Sequence, residues 1–377
     1  MNIGIFTDTF EPQINGVVTS IKTSMDYLEK KHNIYVFCPN VKPKVESTDK
    51  VWRFPSVVYP FQKEYRLVLP FNKKLGQIKK LNLDLIHIHT PFTMGNIGIK
   101  VGKKLGVPII HTYHTFFEKY LHYFPILPES WVYKYAKKES ERFCNLCDKI
   151  IVPTNEMKEQ LSKYDINKEL ITIPSGINVY TPTDLEIETF KSTYMKTNAL
   201  NCLFVGRVGL EKNVYFLIEA FSKIIQKEKN VHLTIIGDGP ERKTVEKKVA
   251  DFGLKQYITF TGYLNKKDVF SAYNAADLML FPSKTETQGL TAVESIMCGT
   301  PVIGLNEMGI KNVIKHDKSG ILTSENVDEY ANAAIHLLSN TSLRETMSSN
   351  AKEMGKDYSY LTTNIKLENL YAEIINQ

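Results

Sequence analysis

Short apolar segments alternate with longer amphipathic segments along most of the chain, and no other feature of the sequence restricts the possible folds as strongly. The apolar segments have the length of buried strands, and the amphipathic ones carry apolar residues at helical spacing. Strand–helix alternation is typical of parallel sheets with helices on both faces. The alternation runs through residues 1–153 and starts again in residues 200–305. The sequence therefore predicts two doubly wound α/β domains, for which 377 residues are enough.

The interruption between the two rounds of alternation predicts the domain boundary. It lies around residues 173–196, where Pro-Ser-Gly at 174–176 ends a strand and residues 180–184 show no periodicity, as expected of a linker. We expect an N-terminal domain over residues 1–175 and a C-terminal domain over residues 176–357. Apolar residues recur at helical spacing in residues 358–377, and this last segment is predicted to pack back on the first domain.

Composition excludes several classes of protein. Apolar residues make up 43% of the chain and charged residues 23%, which is ordinary for a globular protein. No apolar run is long enough for a transmembrane helix, and the N-terminus lacks the pattern of a signal peptide. Five scattered cysteines argue against a disulfide framework, so we expect a cytosolic protein.

The positive charge is unevenly distributed. The net charge is +6, and the excess of lysine and arginine lies in residues 1–180, which are also rich in aromatic residues. Two basic stretches that carry aromatic and aliphatic side chains, residues 63–80 and 120–138, are predicted to lie on an anionic membrane surface. Charge alone also allows a nucleic-acid partner or a merely solvated surface, but no nucleic-acid-binding motif is present.

Polar residues follow the predicted strands of the second round, where ligands bind in open parallel sheets. Arg207 and Lys212 lie in a glycine-bearing loop between a strand and a helix. Two cations at a helix N-terminus suit an anion, most naturally a diphosphate. Without further evidence, the same loop is equally consistent with an ordinary basic surface turn.

A second motif follows a later strand of that round. Glu286 and Glu294 form an E-x7-E pattern, and Gly289 between them allows a tight approach before a helix. Carboxylates suit vicinal hydroxyl groups because each oxygen accepts a hydrogen bond. The N–H groups near the start of the helix offer a second anion site. The E-x7-E spacing is a weak signal alone and a strong one in this strand–loop–helix context.

The first round offers candidates at corresponding places. Asp8 follows the first strand, and Asn15-Gly16 opens the first helix, where a backbone N–H can approach a phosphate or sugar. His114 follows the fifth strand, although a lone histidine there is more often structural. His87 and His89 share a strand face without a third ligand at a suitable spacing, so we predict a structural role at the strand end and no metal site.

The whole chain resembles the retaining glycosyltransferases of family 4, which have the GT-B fold of two Rossmann-like domains facing a cleft. GRVGLEKN (206–213) and ETQGLTAVE (286–294) are motifs of that family in general. FTDTFEPQINGVVTSI (6–21) and HTYHTFFEKYLHY (111–123) resemble the bacterial enzymes that glucosylate diacylglycerol. TETQGLT (285–291) points to the same enzymes. One departure is Asn15-Gly16, where many relatives carry Gly-Gly.

The resemblance implies a role for each candidate. Arg207 and Lys212 would neutralise the donor diphosphate, Glu286 would bind the transferred hexose, and Glu294 would hold the ribose hydroxyls. Gly16 would approach the distal phosphate, and His114 would contact the sugar 6-hydroxyl or the reacting centre. Asp8 would lie near the path of the acceptor. The remaining donor-binding positions are Thr287, Gln288, Gly289 and Leu290.

The resulting expectation is an enzyme that transfers a hexose to a lipid hydroxyl with retention of anomeric configuration, with glucose from UDP-glucose as the favoured donor. Diacylglycerol is the favoured acceptor; a sterol, a phosphatidylinositol or a soluble glycan are alternatives. No metal and no cofactor are expected, because the two cations replace the metal's charge. The partners would be a nucleotide sugar and the inner face of the cell membrane, with no nucleic acid. A nucleotide-sugar epimerase is the rival of another class, which the E-x7-E motif fits less well.

Overall fold

The computed structural model describes residues 1–41, 45–58, 66–68, 73–116 and 128–377. The chain divides into two compact units. The first comprises Met1–Gly176 together with Tyr360–Gln377, and the second comprises Ile177–Ser359. Among the described residues, no helix is long and apolar enough to cross a membrane.

The first unit has nine strands, namely β1 (Asn2–Phe6), β2 (Asn33–Pro39), β3 (Val51–Phe54), β4 (Ser56–Val58), β5 (Arg66–Val68), β6 (Leu85–Ile88), β7 (Ile109–Thr112), β8 (Lys149–Val152) and β9 (Glu169–Thr172), within the described part of the chain. Seven of them form a parallel sheet in the order β3-β2-β1-β6-β7-β8-β9. The other two, β4 and β5, form a small antiparallel hairpin. Its first helices are α1 (Gly16–Leu28), α2 (Thr93–Leu105), α3 (Glu129–Asn145) and α4 (Asn155–Leu161). The segment Lys73–Leu81 is a 3-10 helix.

The second unit has its own parallel sheet, in the order β12-β11-β10-β13-β14-β15. The strands are β10 (Leu200–Val205), β11 (Val231–Ile236), β12 (Ile258–Gly262), β13 (Leu278–Phe281), β14 (Val302–Leu305) and β15 (Gly320–Thr323). The helices are α5 (Asp184–Tyr194), α6 (Val214–Lys227), α7 (Arg242–Asp251), α8 (Lys266–Ala275), α9 (Leu290–Cys298), α10 (Ile310–Val313), α11 (Val327–Leu338) and α12 (Thr341–Gly355). Short 3-10 helices cover Leu210–Lys212, Lys255–Tyr257 and Lys356–Tyr358.

The strands of the second unit are apolar on both faces because helices cover both sides of the sheet. Successive side chains of a strand point to opposite faces. Cys202 and Phe204 of β10 therefore pack in one core with α6 and α11, and Leu203 and Val205 pack in the other with α8 and α9. This arrangement explains why the strands appear in the sequence as continuous apolar runs rather than alternating ones.

The region interpreted as a linker contains a helix. Helix α5 begins at Asp184 and is stabilised by a capping box, in which Thr183 and Glu186 satisfy each other's backbone N–H groups. Phe190 of this helix is buried in the core of the second unit, beside Tyr194. The linker prediction was wrong beyond residue 183. Helix α5 is largely polar and exposes Leu185, so its sequence shows no clear apolar face.

The last helix, α13 (Tyr360–Ile375), belongs to the first unit. Leu367, Leu370, Tyr371 and Ile374 are buried in one core with β1, β2 and α1. The helical spacing of these residues accounts for the packing, because it places them on one face of the helix.

Both sheets reverse their order at one point, between β1 and β6 in the first unit and between β10 and β13 in the second. The loops that leave the two strands at such a point diverge and leave a crevice at their carboxyl ends, where ligands of this fold class bind. The candidate residues of each unit lie at this crevice.

Candidate active site

The loop after β10 is held against the loop after β11 by close backbone contact. The N–H of Val208 donates to the carbonyl of Asp238 over 3.0 Å. A Cβ on Gly239 would lie 2.3 Å from the carbonyl oxygen of Val208, so only glycine fits at that position. This contact fixes the loop that carries Arg207 and Lys212.

Arg207 and Lys212 each face a carboxylate in the structure. Nη1 of Arg207 lies 3.7 Å from Oε1 of Glu211, whose side chain is buried. Lys212 forms an ion pair with Glu286, and both side chains are mostly shielded from solvent. Oγ of Ser283, at the end of β13, also donates to Oε1 of Glu286 over 2.9 Å. The fold thus joins the two predicted motifs, which lie 74 residues apart in the chain.

The loop between Glu286 and α9 is shaped by two glycines. Gly289 is the N-cap of α9 with φ +78°, a conformation that favours glycine. A Cβ on Gly309 would lie 2.0 Å from the carbonyl oxygen of Thr287, and the N–H of Gly309 donates to the carbonyl of Glu286 over 3.1 Å. Gln288 is buried in this loop. The first N–H groups of α9, from Leu290 onward, lack intrahelical acceptors, as at every helix start.

Glu294 lies one turn into α9 and accepts a hydrogen bond of 2.8 Å from the hydroxyl of Tyr273 on α8. Burial raises the pKa of Glu294 to about 7, although the Tyr273 hydrogen bond and the charge of Lys266 oppose the shift. This carboxyl is therefore poised between its neutral and ionised forms at physiological pH. A ligand that donates hydrogen bonds to it favours the ionised form.

The second unit thus combines two cations, two carboxylates and a helix N-terminus beside its crevice. Cations and helix N–H groups bind phosphate oxygens, and carboxylates bind hydroxyl groups. The arrangement suits a ligand that carries both, such as a sugar nucleotide. Sequence analysis did not identify Tyr273, Ser283 or Gly309 as part of this site. Only Ser283 had a local signal, because it begins the loop that carries Glu286.

In the first unit, Asp8 is buried at the reversal point of the sheet. Its carboxylate accepts hydrogen bonds from the hydroxyls of Thr90 (2.7 Å) and Thr93 (2.6 Å) and from the N–H of Met94 (2.8 Å). Burial raises the pKa of Asp8, and these hydrogen bonds oppose the shift. The structure shows Asp8 joining β6 to the start of α2, and the role of Asp8 toward an acceptor stays a prediction.

Gly16 and His114 lie near a shared recess of the first unit. Gly16 is the first residue of α1, and Asn15 caps the helix by accepting from the N–H of Val18 over 3.0 Å. The recess is lined by Val17 of α1, by residues 89–92 after β6, by His111 of β7, and by residues 113–115 after β7. The positions of Gly16 and His114 agree with a ligand site here but do not assign their roles.

Four histidines, three of them buried and His114 half-buried, form a cluster at this recess. They are His87 and His89 of the β6 edge, and His111 and His114 of the β7 edge. Burial lowers the pKa of His111 to about 4 and that of His114 to about 3, and it lowers the pKa values of the other two well below the ordinary range. All four rings are therefore neutral near pH 7. Within the described part of the chain, no three side chains of the usual ligating types are arranged to hold a metal ion.

Comparison with known proteins agrees with this geometry. The family model described as "Glycosyltransferase Family 4" matches residues 14–180, and the model "Glycosyl transferases group 1" matches residues 187–354. The chain is 32% identical to an alpha-monoglucosyldiacylglycerol synthase of Acholeplasma laidlawii, over 100% of this chain and 98% of the relative. It is 33% identical to a protein of the same name from Streptococcus pneumoniae, over 85% of this chain and 75% of the relative.

Solved structures show the same fold at lower identity. Sucrose-phosphate synthase from Thermosynechococcus elongatus superposes with a TM-score of 0.80 over 100% of both chains, at 18% identity. Anabaena HepE, solved with UDP and glucose, superposes with a TM-score of 0.78 at 17% identity, over 99% of this chain and 100% of that one. The expected fold, GT-B with two Rossmann-like domains, is confirmed. The chain belongs to glycosyltransferase family 4.

Proposed function

We propose that this protein transfers glucose from UDP-glucose to the free hydroxyl of diacylglycerol, giving an α-glucosyl glycolipid. The observation that carries the proposal is the Lys212–Glu286 pair beside the start of α9, which combines the charges that a sugar nucleotide needs. The choice of sugar and acceptor is supported by the two relatives named alpha-monoglucosyldiacylglycerol synthase.

The donor occupies the crevice of the second unit in this proposal. Arg207 and Lys212 then bind the diphosphate instead of the carboxylates of Glu211 and Glu286, so each cation exchanges one anionic partner for another. Glu286, released from Lys212, accepts hydrogen bonds from the hexose. Glu294 accepts hydrogen bonds from the ribose hydroxyls and is oriented by Tyr273. Backbone N–H groups from Thr287 to Leu290 add dipoles at the phosphates.

The transfer is proposed to retain the anomeric configuration and to need no metal ion. The bond between the anomeric carbon and the diphosphate oxygen breaks, and the acceptor oxygen bonds to the same face of that carbon. The acceptor proton passes to the departing phosphate oxygen, so UDP leaves with it. Arg207 and Lys212 stabilise the negative charge that develops on the leaving group. His114 and Gly16 are assigned to the sugar and the distal phosphate on the family resemblance.

The acceptor is a membrane lipid, so the proposal includes peripheral attachment to the inner face of the cell membrane. On α3, Trp131 is 71% exposed and Tyr135 is 72% exposed, one turn apart, with Lys134 and Lys138 also exposed. Aromatic and basic side chains on one helix suit the interface of an anionic bilayer. Residues 120–127 of this stretch, and residues 63–65 and 69–72 of the other, lie outside the described part of the chain.

A matrix of donors and acceptors tests the proposal. UDP-glucose, UDP-galactose and GDP-mannose are each incubated with diacylglycerol, a sterol, phosphatidylinositol or a soluble glycan, with and without EDTA. We expect glycolipid only from UDP-glucose and diacylglycerol, with an α-linkage by NMR and unchanged yield in EDTA. Glycolipid formed from another donor or acceptor would contradict the proposed substrates. A β-linkage would exclude retention. Loss of activity in EDTA that Mg²⁺ restores would exclude the metal-free mechanism.

A further inference from the structure

His89 is in direct contact with His114, the histidine assigned to the transferred sugar. Nδ1 of His89 lies 2.8 Å from Nε2 of His114, which is hydrogen-bonding distance. His89 is 4% exposed and follows the last residue of β6. The sequence alone indicated a structural role for His89 at a strand end. The contact with His114 is the basis for a second role of His89.

A hydrogen bond between two neutral imidazoles links their tautomers. A neutral ring carries one proton, so one of its nitrogens donates and the other accepts. If Nδ1 of His89 donates, Nε2 of His114 accepts and the proton of His114 must be on Nδ1. If Nε2 of His114 donates instead, Nδ1 of His114 is an acceptor. The tautomer of His89 therefore decides whether the second nitrogen of His114 can donate to a sugar oxygen or accept from a hydroxyl.

The surroundings of His89 hold its ring in one place. Its backbone N–H donates to the carbonyl of Phe6 over 2.9 Å, which fixes the strand end. Its ring lies against His87, with centroids 4.1 Å apart. The ring of His87 is itself held at both nitrogens, by the hydroxyls of Thr112 and Tyr371, each over 2.6 Å.

We propose that His89 is a positioning residue for the transfer reaction, which fixes the orientation and the tautomer of His114 through their hydrogen bond. The proposal rests on the proposed function, because it takes His114 to be the group that meets the sugar. His89 itself does not touch the substrate in this view. A buried histidine with a purely structural role would instead contribute to stability and leave the chemistry of His114 unchanged.

Two substitutions of His89 separate these roles. His89→Leu removes the hydrogen bond, whereas His89→Asn keeps a polar atom bonded to Cγ at the place of Nδ1. Tyr371→Phe is the matched control, because it removes one buried hydrogen bond from the same cluster and leaves the His89–His114 contact intact. Each is made in the full-length chain, in the wild type and in a His114→Ala background, and melting temperatures identify variants that fail to fold.

In steady-state assays with UDP-glucose and diacylglycerol, His89→Leu is expected to lower kcat about 10- to 100-fold, with a much smaller change in the KM for UDP-glucose. His89→Asn restores most of the activity, and Tyr371→Phe retains it. In the His114→Ala background, His89→Leu causes no further loss, because residues that act as one unit are not additive. Equal losses in both backgrounds, or a loss in Tyr371→Phe as large as that in His89→Leu, would overturn the proposal.

Nitrogen NMR of ¹⁵N-histidine-labelled protein gives a readout that needs no substrate. The ring nitrogens of His114 are assigned by their absence in His114→Ala. We expect one neutral tautomer of His114 in the wild type and in His89→Asn, and a mixture or the opposite tautomer in His89→Leu. An unchanged tautomer in His89→Leu would refute the positioning role. This result holds even if diacylglycerol proves not to be the acceptor, so the two proposals fail separately.

Discussion

At the scale of single residues, the candidate donor site keeps its charges in pairs. Lys212 and Glu286 are both mostly shielded from solvent, and an unpaired charge in such a place is costly. The pairing satisfies both charges. In the proposed mechanism, a diphosphate replaces Glu286 at Lys212 and preserves this balance of charge, and Glu286 becomes available to the hexose in the same step.

The role of Glu286 is tested by Glu286→Gln, which keeps the size of the side chain and removes its charge. We expect kcat to fall about 10²- to 10³-fold, because a preorganised polar contact to the reacting group is lost. Glu325→Gln is the matched control, since Glu325 is an exposed carboxylate that pairs with Lys284 in the same unit. Wild-type turnover in Glu286→Gln would remove Glu286 from the site.

The pKa of Glu294 predicts a pH dependence of donor binding. The free carboxyl has a pKa of about 7, and ribose hydroxyls favour its ionised form, so the pKa is lower in the complex. Binding of UDP-glucose should therefore weaken about tenfold from pH 8 to pH 6. UDP-glucose is the proper probe for calorimetry, because the terminal phosphate of UDP itself titrates near a pKa of about 6. Glu294→Gln should bind weakly with a flat profile, and a wild-type profile that is equally flat would contradict this assignment.

At the scale of elements, the loops after β10 and β13 act together, because Lys212 and Ser283 both contact Glu286. The two sheet strands are neighbours, so their loops leave the sheet side by side. The proposed anion site is therefore a property of the pair of loops rather than of either motif.

Arg207→Ala and Lys212→Ala test the diphosphate assignment. Each substitution should weaken UDP binding, and the double variant should lose less than the sum of the two losses in free energy, because both cations act on one anion. Lys223→Ala removes an exposed cation of α6 that pairs with Asp328 and serves as the control. Isothermal calorimetry measures UDP affinity for the wild type and the four variants. If both single variants bind UDP as the wild type does, the diphosphate binds elsewhere.

Gly309→Ala tests whether backbone contact shapes the Glu286 loop. The new methyl group would lie 2.0 Å from the carbonyl oxygen of Thr287, so the loop or the start of α10 has to move. We expect a loss of about 1–3 kcal/mol in stability, as for other overpacked sites, together with reduced turnover. In Gly76→Ala nothing lies within 4 Å of the added carbon, which makes it the control. If Gly309→Ala matches the wild type both in its free energy of unfolding, measured in urea, and in kcat, the loop is not held in this way.

At the scale of the whole molecule, the charge is uneven, and α3 exposes aromatic rings on the same unit that carries the excess of lysine and arginine. The structure excludes a simple alternative for α3, in which its aromatic residues are all core. Trp131 and Tyr135 are more than two-thirds exposed, and Tyr133 is also exposed.

Membrane binding is tested by co-sedimentation with vesicles of phosphatidylglycerol or phosphatidylcholine, at low and high salt. We expect binding to phosphatidylglycerol that salt weakens, because each basic residue near an anionic surface contributes about 1 kcal/mol. The double substitution of Trp131 and Tyr135 by alanine should weaken it, and Phe252→Ala, which removes an exposed ring from the second unit, should not. Binding that ignores lipid charge and salt would refute electrostatic attachment without affecting the proposed transfer reaction.

The amino-acid sequence determined the class of fold and most of the elements, because their signals are local. Repeated apolar runs predicted the two parallel sheets, and the helix expected after Gly289 is α9 (Leu290–Cys298). Glu286, Gly289 and Glu294 belong to one loop and one helix, so their spacing together with the strand–loop–helix context indicated a site. Where the local signal was weak, as in the largely polar helix α5, the prediction was wrong.

Only the tertiary structure decided which of these residues meet. Lys212 contacts Glu286, Tyr273 contacts Glu294, Gly309 contacts the Thr287 carbonyl, and His89 contacts His114. Each pair joins different loops or helices, and the contact depends on which strands are neighbours and where the sheet reverses its order. Strand order is set by the packing of the whole unit, because a parallel strand can pair with partners far away in the chain. No spacing within one segment of sequence carries that information.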